Sequence, residues 1–472
     1  MIDLATARAR GTQFGREHDL DELLEPYRAH FWTGEENNQP GLVLDDVSEI
    51  PFLVDIDGVE QYQLRARLRA ESGDVFAAVT PISEAYEDYC QKTLLLGNPR
   101  FLLAEPLGNP LRVAEAILEG SGLETLISFA RESGQMALHP YMSIDPVWKL
   151  AKRLSQETSL PIPVLGPPPP VTWIANDKSH FHDLVQRVVG EEWLVETHRS
   201  SAPSELASAL HDLSLEHQQV GLKRTRCASA MGNQVYSSNA PEMANLEGTR
   251  NIVESFLQRT QWPGDEEVLV VAWEETDLSP STQVWIPADP TVPPRLDGIY
   301  EQILHGPEKV FLGSIPSRLS ESIHTRLTWA SIQVAAALQQ IGYVGRCSFD
   351  FLVVGDPQDE NCRLLFTECN GRWGGTSIPM RLLDRLIQGV RPPYISRDIQ
   401  HPGLIGCTFE NLLELLGPKL FDPKTGEGRF ILYNVGPLEK DGKFDVISLG
   451  RSTEDALEGF NRILPEALGI AS

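Results

Sequence analysis

Two short segments of this chain, 346–355 and 363–375, contain the residues best suited to chemistry. Each segment is an apolar run rich in Val, Phe and Leu, which is the composition of a β-strand. The residues that connect them, 355–361, are turn formers. The two segments therefore predict an antiparallel hairpin with a polar loop.

Three oxygen-bearing side chains of this hairpin are predicted to share one site. If the loop is symmetric about Asp359, Asp350 lies opposite Glu368, roughly 5 Å away across the ladder. Strand periodicity places Glu368 and Asn370 on the same face, and Arg372 follows directly. Two carboxylates and an amide oxygen therefore converge on one patch that has a cation at its edge.

This ligand set predicts a Mg²⁺ site formed by Asp350, Glu368 and Asn370. Ionised carboxylates this close repel each other unless a cation lies between them. An incomplete set of oxygen ligands suits Mg²⁺, which completes its shell with phosphate oxygens and water. The alternative is an acidic strand face exposed to solvent. Metal–phosphate chemistry is favoured because the acids interrupt strongly apolar runs and because Arg372 and paired glycines follow at once.

The hairpin also carries a family resemblance. The pattern Asp350…Glu368-x-Asn370-x-Arg372 resembles the C-terminal signature of ATP-grasp enzymes, in which the penultimate strand carries an acid and the last strand carries Glu-x-Asn. The segment 370–379, Asn-Gly-Arg-Trp-Gly-Gly-Thr-Ser-Ile-Pro, is similar to the pheganomycin-type peptide ligases. Those enzymes join a carboxylate to the amine of a peptide through an acyl phosphate. The resemblance extends over most of the chain.

The resemblance implies an ATP-dependent carboxylate–amine ligase that uses ATP and Mg²⁺, with a peptide as the amine acceptor in secondary-metabolite biosynthesis. Arg372 would stabilise the transferred phosphoryl group or the carboxylate, and Arg346, at the start of the hairpin, is the second candidate for a catalytic cation. Three alternatives stay open: an ATP-grasp ligase of free amino acids, a carboxylase that uses the same acyl-phosphate chemistry, and a nucleotide-binding module without catalytic activity.

The same resemblance implies an α/β chain, α+β overall, with an ATP-grasp fold. An open α/β pre-ATP-grasp domain would precede the core, and a small α+β extension would follow it. The expected divisions are a peripheral segment 1–40, the pre-ATP-grasp domain 41–165, the ATP-grasp domain 171–390 with its lid at roughly 185–275, and the extension 391–472. From the residues alone, the proline-rich segment 161–170 predicts a stiff extended connector and a domain boundary.

Alternating strand and helix patterns predict an open α/β unit in the N-terminal part of the chain. The predicted strands are 51–56, 75–80 and 101–104, and the predicted helices are 111–118 and 123–130. Beyond the hairpin, the sequence predicts a helix at 409–416 and strands at 429–433 and 444–449.

Two lysines are candidates for contact with ATP phosphates. Asn176 or Asp177 is predicted to cap a helix whose first turn contains Lys178. The helix dipole disfavours a cation there unless an anion is held nearby. The resemblance implies that Lys178 contacts ATP phosphate, whereas the residues alone favour a solvated surface lysine. Lys223 lies in a basic strand, 220–226, that resembles the lid strand of these enzymes.

Three further residues are candidates for binding the nucleotide or substrate. Glu274 and Glu275 follow an apolar strand that resembles the hinge where an acid binds ribose, although Ala272 stands where that acid often lies. An acidic strand end without function explains them equally well. Gln302 falls in a segment that matches the peptide-ligase pattern. The segment 227–233 would form the flap over the phosphates, with a single glycine where many relatives have several.

Size and composition limit the possible classes of protein. A chain of 472 residues exceeds one usual core, so roughly two to four structural units are expected. Apolar residues at 41% and charged residues at 22% are ordinary for a globular protein. A net charge of −26 opposes binding to nucleic acid. The partners that the resemblance implies are small-molecule carboxylate and amine or peptide substrates.

The expected location is the cytoplasm. No apolar run approaches the roughly 20 residues of a membrane span, and the first residues lack the apolar core of a secretory signal. The six cysteines are scattered without CxxC spacing, which favours reduced thiols over structural zinc.

Overall fold

The computed structural model describes residues 2–34, 39–51, 53, 56, 58–227 and 231–470. The strands in this part of the chain are β1 (Gly41–Leu44), β2 (Val75–Ala78), β3 (Arg100–Leu103), β4 (Ala137–Pro140), β5 (Thr197–Ser200), β6 (Gln219–Arg224), β7 (Asn233–Ser237), β8 (Val268–Ala272), β9 (Pro280–Ile286), β10 (Arg295–His305), β11 (Val310–Pro316), β12 (Gly345–Val354), β13 (Arg363–Asn370), β14 (Tyr394–Gln400), β15 (Phe430–Tyr433) and β16 (Lys443–Leu449).

The α-helices of the same residues are α1 (Leu4–Glu17), α2 (Leu20–Leu24), α3 (Ala66–Arg69), α4 (Glu84–Asp88), α5 (Val113–Glu119), α6 (Gly122–Ser133), α7 (Asp145–Thr158), α8 (Pro169–Asn176), α9 (Lys178–Val188), α10 (Pro203–Glu216), α11 (Leu246–Arg259), α12 (Glu321–Gln340), α13 (Ser377–Leu386), α14 (Phe409–Leu416), α15 (Leu438–Asp441), α16 (Thr453–Glu458) and α17 (Leu464–Leu468). Within the described ranges, no helix is long and apolar enough to cross a membrane.

The N-terminal sheet is parallel, with the strand order β3-β2-β1-β4. It confirms the predicted open α/β unit: β2, β3, α5 and α6 occupy the predicted segments. Strands β1 and β4 were not predicted from the sequence. Much of the strand predicted at 51–56 lies outside the described residues, and its described residues, 51, 53 and 56, are not in a strand.

The central sheet has eight strands in the order β13-β12-β9-β10-β11-β14-β16-β15, and all its pairs are antiparallel. Strands β14 to β16 belong to the predicted C-terminal extension, yet they continue this sheet through the pair β11–β14. A Cβ added to Gly313 of β11 would overlap the carbonyl oxygen of Ser396, so only glycine permits this approach of the two backbones. The predicted α14, β15 and β16 are confirmed, whereas β14 was missed.

Helix α12 covers one face of the central sheet and is itself covered by α1. The buried faces of the two helices meet at Gly11, where an added Cβ would lie 2.5 Å from the carbonyl oxygen of Ala337. Ala7 and Phe14 of α1 are fully buried. The segment 1–40, expected to be peripheral, therefore supplies a helix that completes the packing of the core.

A third, four-stranded antiparallel sheet, β5-β8-β6-β7, lies in the predicted lid region. Its apolar face packs on α10 and α11 and forms a separate small core that includes Leu210, Val253 and Phe256. A unit with its own core can move relative to the central sheet without disturbing the packing of that sheet.

The proline-rich segment 161–170 differs in part from the prediction. Val164 forms parallel bridges to Phe31 and Leu138, as an extended segment can. The last two prolines, however, begin α8 at Pro169. The prediction of a connector without helix was wrong at this end, because proline lacks only the N–H that is unbonded anyway in the first turn of a helix.

Candidate active site

The hairpin β12–β13 brings the predicted carboxylates together. Asp350 pairs directly with Glu368, as predicted, and Ser348 pairs with Asn370. The register shifts between Asp350 and Phe351, so that Phe351 pairs with Phe366 and Thr367 is the extra residue. The loop is therefore not symmetric about Asp359, and the bulge at Thr367 restores the predicted pairing.

A chain of hydrogen bonds connects the side chains at the end of the hairpin. Arg372 Nη2 donates to Asn370 Oδ1 at 2.9 Å, and Asn370 Nδ2 donates to Asp350 Oδ2 at 3.0 Å. The guanidinium therefore fixes the amide, and the amide fixes the carboxylate.

Lys178 reaches this cluster from the N-terminus of α9. Asp177 caps the helix by accepting from the N–H of Ser179 at 3.0 Å. The ammonium group of Lys178 lies 3.2 Å from Glu368 Oε2, and its side chain is only 6% exposed. The alternative of a solvated surface lysine is therefore wrong.

The charges of this pair are set by their surroundings. Burial alone would lower the pKa of Lys178, but Cys227 and Glu368 raise it above its ordinary value. Burial would raise the pKa of Glu368, but Lys178 and Lys223 hold it below its ordinary value. Both groups are therefore charged at neutral pH.

Lys223 approaches from the lid. It lies on β6, with its ammonium group 4.8 Å from the ring centroid of Trp273. Burial lowers the pKa of Lys223 to about 8, against the opposing effect of Glu368. Two lysines from different units, Lys178 and Lys223, thus stabilise the charged form of the same carboxylate, that of Glu368.

The donor set fits a divalent cation. Burial and the neighbouring Glu368 raise the pKa of Asp350 to about 7. Two facing carboxylates repel each other, and a cation bound between them relieves the repulsion. Asn370 Oδ1 uses one lone pair for Arg372 and retains a second. Asp350, Glu368 and Asn370 therefore suit an oxygen-seeking ion such as Mg²⁺.

A cleft of about 860 Å³, counting its open mouth, lies between the lid sheet and the central sheet. Asp350, Glu368, Lys178 and Lys223 line its polar end, and Ala272, Trp273 and Leu352 are among its apolar lining residues. A cleft with an apolar part and a cluster of convergent polar groups is typical of a site for a small molecule or cofactor.

The other candidates for nucleotide binding differ in position. Glu274 lines the cleft and accepts from Arg363 Nη2 at 2.7 Å. Glu275 is exposed and is not among the lining residues. Gln302 lines the cleft, and its backbone N–H donates to the carbonyl of Ser279 at 3.1 Å.

Arg346 does not join the carboxylate cluster. Its Nη1 lies 2.5 Å from Asp297 Oδ2, and it lines a different cavity, which also contains Trp373. In the predicted flap, residues 228–230 lie outside the described residues, and the carbonyl of Cys227 accepts from Lys178 Nζ at 3.4 Å.

Sequence reasoning missed several lining residues of the cleft. Trp273, Ser279 and Lys309 all line it. In the sequence, Trp273 is only the last apolar residue of a predicted strand. Lys309 lies in a turn, where no periodic pattern predicts which way a side chain points. These residues meet only because the lid and the central sheet face each other.

The chain was compared with known proteins both by sequence and by structure. No protein-family model and no curated protein matches the chain. Solved structures do match it. N5-carboxyaminoimidazole ribonucleotide synthetase from Thermus thermophilus is 16% identical, with a TM-score of 0.52 over 91% of this chain and 98% of that one.

Two further matches agree. An ADP complex of N5-carboxyaminoimidazole ribonucleotide synthetase, purK, is 13% identical, with a TM-score of 0.54 over 92% of this chain and 97% of that one. The biotin carboxylase domain of the Hydrogenobacter thermophilus 2-oxoglutarate carboxylase is 15% identical, with a TM-score of 0.51 over 85% of this chain and 86% of that one.

The chain has the ATP-grasp fold. The match extends over nearly the full length of the ribonucleotide synthetases, so it includes the N-terminal parallel sheet as well as the lid and the central sheet. The predicted fold class, an ATP-grasp fold between an open α/β domain and a small α+β extension, is confirmed. In this ATP-grasp fold, the hairpin β12–β13 carries the facing acids at one end of the cleft.

Proposed function

We propose that this protein is an ATP-dependent ligase that joins a carboxylate to an amine. The observation that carries the proposal is the pair Asp350–Glu368 at the inner end of the cleft, with Lys178 held against Glu368. Proteins of the same fold have been crystallised with ADP and with MgADP and bicarbonate, and this supports nucleotide binding in the corresponding cleft.

The chain would act mainly by positioning and neutralising phosphates. ATP would lie between the lid and the central sheet, with Lys178 and Lys223 against its phosphates and Glu274 and Gln302 along its length. Asp350, Glu368 and Asn370 would hold Mg²⁺, which supplies charge neutralisation when bound. Phosphoryl transfer depends on such neutralisation more than on a protein nucleophile.

The reaction would have two steps. The carboxylate of the first substrate attacks the γ-phosphorus of ATP, which gives an acyl phosphate and ADP. The amine of the second substrate then attacks the acyl carbon, which forms the amide and releases inorganic phosphate and the proton of the amine. Arg372, whose guanidinium donates to Asn370 Oδ1, would stabilise the transferred phosphoryl group or the carboxylate.

We propose a peptide as the amine acceptor, acting in secondary-metabolite biosynthesis in the cytoplasm. The support is the likeness of segment 370–379 to the pheganomycin-type peptide ligases. A carboxylase is the second candidate, because the matched structures are of carboxylating enzymes and one of them contains bicarbonate. A ligase of free amino acids and a silent nucleotide-binding module are the remaining alternatives.

ADP release measured against a matrix of substrates distinguishes these functions. A ligase requires both a carboxylate and an amine, and mass spectrometry shows whether the amine is a peptide or a free amino acid. A carboxylase releases ADP with bicarbonate in place of the organic acid. A silent module binds nucleotide without turnover. Hydroxylamine tests the intermediate: a hydroxamate is expected, and its absence with productive substrates contradicts the acyl-phosphate mechanism.

A further inference from the structure

A second cavity lies at the carboxyl ends of the parallel strands β1 and β4, beside the start of β12. It has about 490 Å³ of empty volume, counting its mouth. We call it the arginine cavity, and its chemistry comes from Arg69, His139, Trp285, Arg346, Trp373 and Arg381. In open α/β sheets, the carboxyl ends of the strands are where ligands bind.

Three buried nitrogens of the arginine cavity lack a hydrogen-bond partner among the described residues. They are Nε of Arg69, Nε of Arg346 and Nε2 of His139. The Arg346 side chain is only 4% exposed and the Arg69 side chain 6%. An unbonded buried nitrogen is costly, and the two guanidinium nitrogens are donors, so they indicate a ligand that supplies acceptors. The neutral ring of His139 can donate or accept, depending on its tautomer.

Other nitrogens of both buried guanidiniums donate to the protein. Arg69 donates to the carbonyls of Leu44, His139 and Pro140 at 3.1 to 3.3 Å. Arg346 Nη1 donates to Asp297. Each guanidinium is therefore fixed by contacts with the protein, and its unbonded Nε is not a consequence of disorder in the side chain.

The cavity carries an excess of positive charge. Arg69 pairs with Asp45 and Arg346 pairs with Asp297, whereas half-buried Arg381 has no carboxylate partner in the described part of the chain. Burial and Arg69 lower the pKa of His139 to about 4, so its ring is neutral and offers a hydrogen bond without charge.

Trp373 holds the two buried guanidiniums in place. The Cζ atom of Arg69 lies 5.2 Å from the Trp373 ring, and that of Arg346 lies 5.6 Å from it. The Cζ atom of Arg346 also lies 5.4 Å from the centroid of the Trp285 ring. Cation–π contacts of this kind fix the direction of a guanidinium without using its N–H donors.

We infer that the arginine cavity binds an anionic oxygen group, a carboxylate or a phosphate, of a substrate at a distance from the reacting centre. This inference rests on the proposed function for the statement that the anion belongs to a substrate. Arg346 and Asp350 are four residues apart on one face of β12, or about 13 Å at the rise of a β-strand. The substrate is therefore an elongated molecule with an anionic end remote from the acyl phosphate.

The test measures anion binding to the full chain by calorimetry, without turnover. The probes are 4-bromobenzoate, its neutral isostere 4-bromobenzamide, and inorganic phosphate. The variants are Arg346→Gln, which leaves Asp297 with its second partner Arg295, and Arg381→Gln, which breaks no ion pair. Arg100→Gln, an exposed arginine on β3, is the matched control. Crystals soaked in 4-bromobenzoate locate the bromine by its anomalous signal.

We expect 4-bromobenzoate to bind and 4-bromobenzamide not to bind, with the bromine in the arginine cavity. Its affinity falls about tenfold in Arg346→Gln and in Arg381→Gln and is unchanged in Arg100→Gln. Tighter binding of phosphate at the same arginines identifies a phosphate-bearing substrate, and weaker binding identifies a carboxylate. Absence of binding by both anions, equal binding of the amide, or affinities unchanged in the variants overturns the inference.

The ADP affinity of the same variants separates this inference from the proposed function. We expect it to be unchanged, because the nucleotide cleft lies elsewhere. If the wild-type chain binds the anion but not ADP, the proposed function fails and the arginine cavity remains an anion site. If it binds ADP but not the anion, only the present inference fails.

Discussion

Lys178 at the start of α9 and Glu368 on β13 form an ion pair, with Nζ and Oε2 3.2 Å apart. The pair connects a helix N-terminus to the edge strand of the central sheet, beside a second carboxylate, Asp350. The lysine thereby compensates one of two acids that would otherwise repel each other. The remaining acid is the part of the site that a metal ion would neutralise.

Replacing Glu368 with Gln should abolish metal-dependent turnover and preserve the fold. The substitution keeps the shape of the side chain but removes the charge that faces Asp350. We expect ADP production to fall on the order of 100-fold or more, with an unchanged far-ultraviolet circular dichroism spectrum. Glu360→Gln in the exposed hairpin loop is the control and should keep wild-type activity. Wild-type turnover in Glu368→Gln would exclude this site as the catalytic centre.

Replacing Lys178 with Met should destabilise the protein. The change leaves Glu368 without its closest cation, and we expect a loss of about 1–3 kcal/mol in the free energy of unfolding. The loss is smaller than for a fully buried pair because the Glu368 side chain is 35% exposed to solvent, which screens its charge. Urea unfolding without nucleotide or metal measures it.

The double variant Lys178→Met/Glu368→Gln completes this test. Because it removes both charges, it should be more stable than the sum of the two single changes predicts. Lys92→Met, at an exposed lysine, serves as the control. Strict additivity of the two changes would mean that the ion pair contributes nothing to stability.

Glu274 and Glu275 form a matched pair for testing nucleotide binding. Glu274 lines the cleft, whereas its neighbour Glu275 is exposed. We expect Glu274→Gln to raise the KM for ATP about 3- to 10-fold, the effect of one weakened hydrogen bond. Glu275→Gln should leave the KM unchanged. Equal effects of the two substitutions would show that the position of Glu274 at the cleft is without function.

Asp445 on β16 should make the stability of the protein depend on pH. It pairs in the ladder with Asp398 and accepts from Asn434 Nδ2 at 2.9 Å. Burial, with a further contribution from Asp398, raises the pKa of Asp445 to about 7. Because the folded chain then holds a proton that the unfolded chain has released, Asp445 reduces stability as pH rises from about 4 to about 7.

Asp445→Asn should remove this loss. We expect the variant to match the wild type near pH 4.5 and to be about 1–2 kcal/mol more stable at pH 8, since partial exposure reduces the full effect of the pKa shift. Urea unfolding across this range measures the difference. Asp265→Asn, in an exposed loop, should show no such divergence. A variant less stable than the wild type at pH 8 would contradict the prediction.

Local sequence was sufficient for the hairpin and for many single elements. The apolar runs at 346–355 and 363–375 and the turn between them predicted the pairing of Asp350 with Glu368, because strand pairing across a short loop is a local event. The prediction was correct although the bulge at Thr367 was not foreseen. Helix α9 was also predicted from local sequence, with Asn176 or Asp177 as its cap, and the structure shows that Asp177 is the cap.

The sequence by itself determined the local chemistry. It placed two acids and an amide on one hairpin and a lysine in the first turn of a capped helix, and it gave the alternating elements of the α/β unit. Only the tertiary structure decided that Lys178 is buried against Glu368, that Arg346 belongs to a different cavity, and that Glu274 rather than Glu275 lines the cleft. The physical reason is that these facts depend on contacts between elements distant in the chain. Periodicity and turn chemistry specify which face a residue occupies, but not which element packs against that face.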